Sequence, residues 1–416
     1  MDTKKNSKLF LIGGFCFFFL TYAPTFVSGA DVVKIGVILP LSGPIAPIGK
    51  DVKDGLDYSV HEINESGGIK SLRGAKIQLI YTDSVGKPEV GLSNAERLIQ
   101  KENASAIMGA YQSSVTYTSS EVAERYMVPY VVIGGIMDKI TERGFKYIFR
   151  AHQQSGYQNS AAVRFVDEMG RKTGKEVKTI ALVYENTDYG QDSARVWKEH
   201  FKRYDFKIVL DEAYPHGSTD LTPVVIKLKN IKPDAVFNVS YISDIILLAK
   251  TVADLKFECK AWIASGGGEL DPTFIPAVGD LGNYYITSVP WMPDIMEARP
   301  WIKNVDKGFK AMTGRNLGVL PAMAYMQLNV LVDAIERAGS TDRKKIRDAL
   351  KRTDITSGKP LIMPFERIKF DEKGQNIYQR VVFGQFQKKE LRIVYPEEFR
   401  LKGVNLVWPW PSWSER

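Results

Sequence analysis

Ser113, Ser114 and Thr116 stand directly behind a short apolar run, Ala106-Ile107-Met108-Gly109, and in front of a helical stretch expected over Val115–Tyr126 that Pro129 closes. Strand, polar turn and helix in that order gather unpaired backbone N–H groups and serine hydroxyls at a helix start. Such a place favours a bound anion, because the free donors and the helix dipole both attract negative charge. In an open α/β sheet it is also where ligands sit. The plainer reading is that Ser113 or Ser114 serves only as an N-cap, and the stretch by itself does not choose between the two.

Other chemistry is thinly supplied. The four histidines, His61, His152, His200 and His216, have no partners at metal-ligand spacing, so neither a metal site nor a histidine-activated nucleophile is expected. Gly43–Lys50 departs from a phosphate loop by one residue of spacing and by Asp51 in place of Ser or Thr. No Gly-x-Ser-x-Gly or Gly-x-Gly-x-x-Gly pattern follows a strand. A hydrolase built on Ser113 would lack a base, and no cofactor is called for.

The elements that must position Ser113 recur along the chain. Strand-like runs fall at Val33–Leu39, Lys76–Tyr81, Ala104–Met108, Tyr130–Ile133, Thr179–Tyr184, Lys207–Leu210, Ala235–Val239 and Ala261–Ala264. Helix-like stretches lie between them at Lys50–Glu65, Glu89–Lys101, Gly156–Arg171, Gln191–Tyr204 and Ser243–Leu255. Near-continuous apolar strands alternating with helices predict an α/β fold of parallel sheets covered on both faces. The series runs twice, since Lys34-Ile35-Gly36-Val37-Ile38 and Thr179-Ile180-Ala181-Leu182-Val183 are each followed by a polar turn and a helix. Two similar lobes follow, with a first crossover near Phe149–Gln154. Further on, Pro321–Arg337 and Asp342–Lys351 read as helices, and Val381–Phe386 and Leu391–Tyr395 as strands. The tail from Val407 to Trp413, rich in Trp and Pro, is expected to pack across a lobe.

At 416 residues the chain is long enough for two cores. Lys4, Lys5 and Lys8 precede the apolar run Leu9–Leu20, and Ser28-Gly29-Ala30 offers a cleavage site, which reads as a secretory signal cut after Ala30. Loss of three lysines and one aspartate with residues 1–30 lowers the formal net charge from +8 to +6. That charge is spread along the chain, without the clustering a nucleic-acid binder needs. The mature chain keeps one cysteine, Cys259, so no internal disulfide is possible.

In this order and spacing, several short segments resemble the solute-binding proteins of ABC importers of the branched-chain amino-acid type. They are Leu39-Pro40-Leu41-Ser42-Gly43-Pro44, Glu62-Ile63-Asn64-Glu65-Ser66-Gly67-Gly68-Ile69, Gly109–Thr116, Asp188-Tyr189-Gly190 and Lys369-Phe370-Asp371-Glu372-Lys373-Gly374. The resemblance covers about residues 31–395. It implies the type I periplasmic binding protein fold, two Rossmann-like doubly wound lobes joined by three crossover segments. Lobe one would comprise 31–152 plus 288–366, lobe two 153–287 plus 367–395, and 396–416 would be a C-terminal tail.

The resemblance further implies no enzymatic activity, a periplasmic location, a membrane permease as partner and a small carboxylate, amino acids among the candidates, as ligand. A sensing module of the same fold, feeding a signalling partner, is the alternative. The family's carboxylate-binding serine falls on Ser113, with Ser114 beside it, and backbone groups fall on Gly134 and Ile136. Its aromatic positions across the cleft fall on Tyr189 and Tyr241. Gly134-Gly135 could equally be a tight turn, and Tyr189 a helix staple.

Three positions depart from the family. Ile48 stands where a ligand-contacting aromatic is expected, and Val85 and Gln112 occupy the sites of a disulfide found in some members. A glycine, Gly266 or Gly267, matches the acid that pairs with a ligand's ammonium group, and Glu269 lies two or three residues on. If Glu269 turns inward, α-amino acids are expected to bind; if it faces solvent, carboxylates without an amine are expected instead.

Overall fold

The computed structural model describes residues 1–2 and 32–416; the secretory signal read in residues 1–30 falls, but for its first two residues, outside them. The apolar runs of the first half become β1 (Val33–Leu39), β2 (Ile77–Asp83), β3 (Ala106–Gly109), β4 (Tyr130–Val132) and β5 (Ile148–Phe149). Between them lie α1 (Ala46–Glu65), α2 (Pro88–Gln100), α3 (Ser113–Arg125) and the single turn α4 (Lys139–Glu142). The strands form one parallel sheet in the order β2-β1-β3-β4-β5. Six of the seven β1 residues are buried, as expected of a strand covered on both faces.

The same order is then repeated. β6 (Thr179–Glu185), β7 (Lys207–Tyr214), β8 (Ala235–Val239), β9 (Ala261–Ala264) and β10 (Ile286–Val289) pair in parallel as β7-β6-β8-β9-β10. The helices α5 (Ser155–Thr173), α6 (Asp188–Phe201), α7 (Thr222–Ile231), α8 (Ile242–Asp254) and α9 (Phe274–Val278) accompany them. β1 and β6, the two runs that look alike in sequence, hold the same place, second from the edge. In each sheet the strand order reverses beside that strand, which opens a crevice at the C-terminal end of β1 and of β6.

The chain then returns to the first core through α10 (Ile295–Ala298), α11 (Ile302–Thr313), α12 (Val319–Ala338) and α13 (Arg343–Lys351), with a small ribbon of β11 (Asp354–Ile355) and β12 (Ile368–Lys369). It ends on the second sheet as the antiparallel pair β13 (Val382–Gln387) and β14 (Glu390–Tyr395), β13 lying beside β10. α12 is buried along nearly its whole length and packs on α1. α13 starts where Asp342 accepts a hydrogen bond from Lys345 N–H as its N-cap. Trp410 in the tail is buried against Trp262 and Tyr285 of the second core.

β5, β10, β11 and β12, and the helices α4, α7, α9, α10 and α11, are absent from the sequence-based expectation. Thr287 and Ser288 break the apolar run of β10, although both side chains are buried. Cys259 is a free thiol, and burial pushes its pKa up to about 12, which leaves it unreactive. Gln112 donates from Nε2 to Gly86 O at 3.2 Å and so ties the loop after β3 to the loop after β2.

At the crossovers, Arg150 is fully buried. Its Nε donates to Gln375 Oε1 (2.6 Å), Nη1 to the carbonyls of Gly135 and Met137 (3.0 and 2.9 Å), and Nη2 to Thr141 Oγ1 (3.0 Å). Gln375 in turn donates to His152 O, and Asn376 to Ala151 O. One arginine thus clamps the first crossover to the segment after β12 and to the loop behind β4.

Candidate functional site

A cleft of about 470 Å³, part of it open to solvent, lies between the C-terminal ends of the two parallel sheets. On the first sheet's side, α3 begins one residue after Gln112, whose backbone is extended (φ −77°, ψ 140°) and whose side chain does not cap the helix. Gln112, not Ser113 or Ser114, therefore holds the cap position. Ser113 is the first helical residue, buried in the cleft wall, and its Oγ accepts from Met137 N–H at 3.3 Å. Ser114 is half-buried and does not form part of that wall. The first-turn N–H groups of α3 lack helical acceptors, as at any helix start, and Thr116 N–H makes the first helical bond, to Gln112 O.

Gly134 and Ile136, in the loop after β4, also line the cleft. Gly134 sits at φ +87°, and a Cβ there would come within 2.7 Å of the Tyr111 ring, so only glycine allows this approach. Ile136 O accepts from Ser155 N–H, the first residue of α5, which connects the loop to the other lobe.

Opposite stand Tyr189 and Tyr241, ring centroids 5.6 Å apart at 51°. Tyr189 is held by a capping device behind it. The buried Glu185 carboxylate accepts from Thr187 N–H (2.6 Å) and Gly190 N–H (2.7 Å), and a Cβ on Gly190 would lie 1.9 Å from Glu185 O. The Tyr189 hydroxyl donates to Ser265 O at 3.0 Å. Tyr241 occupies the cap position of α8 and packs against His216, whose Nδ1 is 2.8 Å from Asp244 Oδ2. Burial, though opposing a charge on His216, is outweighed by Asp244, and its pKa rises.

Glu269 turns inward. It is 3% exposed, and its Oε1 accepts from Gly267 N–H at 2.9 Å and from the Thr287 hydroxyl. The three glycines before it make this turn possible. Cβ atoms on Gly266, Gly267 and Gly268 would lie 2.3–2.4 Å from backbone atoms of Ser288, Ser240, and Tyr241 or Ile242. Burial pushes the Glu269 carboxyl up, while its hydrogen bonds from Thr287 and the backbone pull the other way. Its charge is close enough to raise the pKa of both Tyr111 and Tyr189, after burial. Glu269 itself is not part of the cleft wall; its neighbours Gly266 and Leu270 are.

The structure thus brings Ser113, Gly134, Ile136, Tyr189 and Tyr241 around one cleft, leaves Ser114 beside it and sets Glu269 behind its wall. Ile48 is buried in the first core, not in the cleft. Sequence reasoning missed three polar wall residues, His152, Gln153 and Gln158, and two apolar ones from α12, Leu320 and Met323. The signal was a polar run, His152-Gln153-Gln154-Ser155, standing where a strand ends and a helix starts. Among the described residues no group of three His, Cys, Asp or Glu is placed to hold a metal ion.

Comparison with known proteins places this arrangement in a wider group. Residues 32–390 match the family model described as periplasmic binding protein. A Leu/Ile/Val-binding protein homolog of Brucella abortus is 29% identical over 393 residues, which is 91% of this chain and 95% of that one. A leucine-binding protein of Thermotoga maritima superposes with a TM-score of 0.76 at 25% identity, covering 87% of this chain and 97% of that one. The solute-binding protein of an ABC transporter from R. palustris, solved with benzoate, has a TM-score of 0.75 at 19% identity over 88% of this chain and 96% of its own.

Proposed function

The chain belongs to the periplasmic binding protein family, and from that premise we propose that it is the exported receptor of an ABC importer, closing two lobes around a small carboxylate and passing it to a membrane permease. The family is one of solute-binding receptors, which makes this an exported periplasmic protein. Lobe one is assigned 31–152 plus 288–366 and lobe two 153–287 plus 367–395, with closure as a hinge motion about the Arg150–Gln375 clamp. A ligand that touches both lobes favours the closed state by the free energy of those contacts.

The observation that carries this reading is the position of Ser113: a buried hydroxyl at a helix start, facing a tyrosine pair from the opposite sheet across one cleft. A carboxylate there would gain hydrogen bonds from hydroxyl and first-turn N–H donors. Tyr189, Tyr241, Leu320 and Met323 would enclose the ligand's body. The buried Glu269 favours ligands with an ammonium group, the hydrophobic amino acids first among them, in keeping with the relatives named as Leu/Ile/Val- and leucine-binding. One observation favours amine-free carboxylates instead: Glu269 Oε1 is already engaged, and burial drives its carboxyl toward the neutral form.

Native mass spectrometry of the protein taken from its own periplasm, followed by thermal-shift titration with amino acids and their deaminated analogues, tests the reading. A retained small carboxylate, or stabilisation by such compounds that Ser113→Ala weakens, is expected. Failure of every small carboxylate to bind would overturn it.

A further inference from the structure

His152 and Gln153 leave two hydrogen-bond acceptors in the cleft wall that no group of the protein satisfies. Both residues are buried, 0% and 3% exposed, and both line the cleft. The orientation of each is fixed by its neighbours. Ser265 O can only accept, so Gln158 must turn its Nε2 toward it, as it does, and it reaches Ser265 Oγ as well at 3.1 Å. Gln158 Oε1 is then left to face Gln153, which must offer its own Nε2, at 2.8 Å. Gln153 Oε1 is thereby left without a partner.

The same logic applies to His152. Its Nδ1 is 2.9 Å from Gln153 O, a carbonyl that can only accept, so Nδ1 carries the ring proton. Burial, and after it the nearby Arg150 charge, lowers the ring's pKa to about 3, so it is neutral at ordinary pH. Nε2 is then a bare acceptor, and it too has no partner.

Buried acceptors without partners are costly, and in the wall of a binding cleft they are a demand on the ligand. We propose that the ligand of this cleft is a small carboxylate that also carries a hydroxyl or N–H donor on its body, and that His152 Nε2 or Gln153 Oε1 accepts from it. This deepens the proposed function and rests on the carboxylate-binding reading of the cleft. It assigns specificity to the first crossover, an element separate from the Gly266–Glu269 loop that would meet an α-ammonium group. A purely aliphatic ligand would leave both acceptors, already shut off from water, unpaired. A site of this kind discriminates strongly against the analogue lacking the donor.

Isothermal titration with matched pairs differing by one hydroxyl tests this: threonine against valine, tyrosine against phenylalanine, 4-hydroxyphenylacetate against phenylacetate. The hydroxylated member is expected to bind roughly ten- to a hundredfold more tightly. The preference is expected to fall in whichever of Gln153→Leu and His152→Phe removes the acceptor in use, and to disappear when both are combined. In parallel, ¹⁵N spectra of the histidine ring in the unaltered protein should show an unprotonated Nε2 that shifts with the hydroxylated ligand and not with its partner. Equal or tighter binding of the apolar member in every pair that binds, a preference that survives both substitutions, or a protonated Nε2 in the free protein would overturn the inference while leaving the carboxylate reading intact. If no member of any pair binds and Ser113→Ala changes nothing, the carboxylate reading fails and the inference falls with it.

Discussion

Arg195 Nη2 lies 3.0 Å from Asp138 Oδ2, which joins helix α6, packed beside the seven-stranded sheet, to the loop behind β4 of the five-stranded one. Asp138 N–H donates to Asp192 Oδ2 at 3.1 Å, and Gly156 N–H reaches Asp138 Oδ1 at 2.7 Å, so a small polar latch spans the two halves. Burial first, and then the charge of Asp192, raises the Asp138 pKa. The Arg195 side chain is 44% exposed, so water screens the pair and its worth is at most about 1 kcal/mol. Arg195→Ala should release ligand about two- to fivefold faster in stopped-flow experiments, with a smaller dependence on salt than the parent. An unchanged release rate would mean that the latch does not favour the closed form.

The two serines at the start of α3 should separate on substitution. Ser113 Oγ is in the cleft wall and Ser114 is not. Ser113→Ala removes a hydroxyl but leaves the helix-start N–H donors, so ligand affinity should fall by about 1–3 kcal/mol without vanishing. Ser114→Ala should change it by less than about 0.5 kcal/mol. Calorimetry showing the reverse order would place the carboxylate at a different turn of the loop.

His152 should make the fold acid-sensitive. Its pKa is about 3 in the folded chain against about 6.5 when unfolded, so between those values the unfolded chain binds a proton that the folded chain refuses. Its contribution to stability is therefore full above pH 6.5 and declines as pH falls, by about 2 kcal/mol at pH 5. Asp51 acts in the opposite sense. Burial raises it to about 6, against the pull of Arg315, so folding takes up a proton there and acid relieves the strain. The comparison must therefore be between the parent and His152→Asn. Urea unfolding of both from pH 7 to 5 should show the parent losing about 2 kcal/mol more than the variant, and parallel curves would mean that the ring is solvated.

How much of this was legible follows from what sets each feature. β1, β8 and β9 coincide with their apolar runs, because strands buried on both faces need little more than continuous hydrophobicity. β10 was hidden because Thr287 and Ser288 are buried polar residues, and burial of that kind is decided by partners far away in sequence. The direction of Glu269 was hidden for the same reason, since Thr287 is one of its two hydrogen-bond donors. Three glycines announce that the backbone can bend there, but not which way. Ser113 was placed by a local strand–turn–helix pattern, whereas Gln153 matters through Gln158 and Ser265, more than a hundred residues from one another.

The C-terminal tail should behave as part of the second core. Trp410 is 5% exposed, its ring 5.0 Å from Tyr285 and 6.2 Å from Trp262, and its backbone N–H donates to Lys260 O at 2.7 Å. The Arg416 guanidinium covers its other side at 4.2 Å. Trp410→Ala should cost about 3–5 kcal/mol in urea unfolding. A loss under 1 kcal/mol would show that the tail lies on the lobe without sealing it.

The sharpest choice concerns the amine end of the ligand. Taking an ammonium group out of water demands a compensating anion, since an unpaired buried charge is expensive. Glu269 is buried beside the wall and its charge is felt by Tyr111 and Tyr189, two residues of that wall. An arriving ammonium would stabilise the ionised carboxylate and reverse the upward push that burial gives it. Glu269→Gln keeps the shape and an acceptor oxygen but removes the charge. Amino-acid binding should therefore weaken by roughly 2–4 kcal/mol, as when one partner of a buried charge pair is lost, while the deaminated analogue changes by less than about 1 kcal/mol. If calorimetry finds both ligands weakened equally, Glu269 serves only to brace the glycine loop through Gly267 and Thr287. Stabilisation by the deaminated acids alone would instead make the amine-free carboxylates the natural cargo.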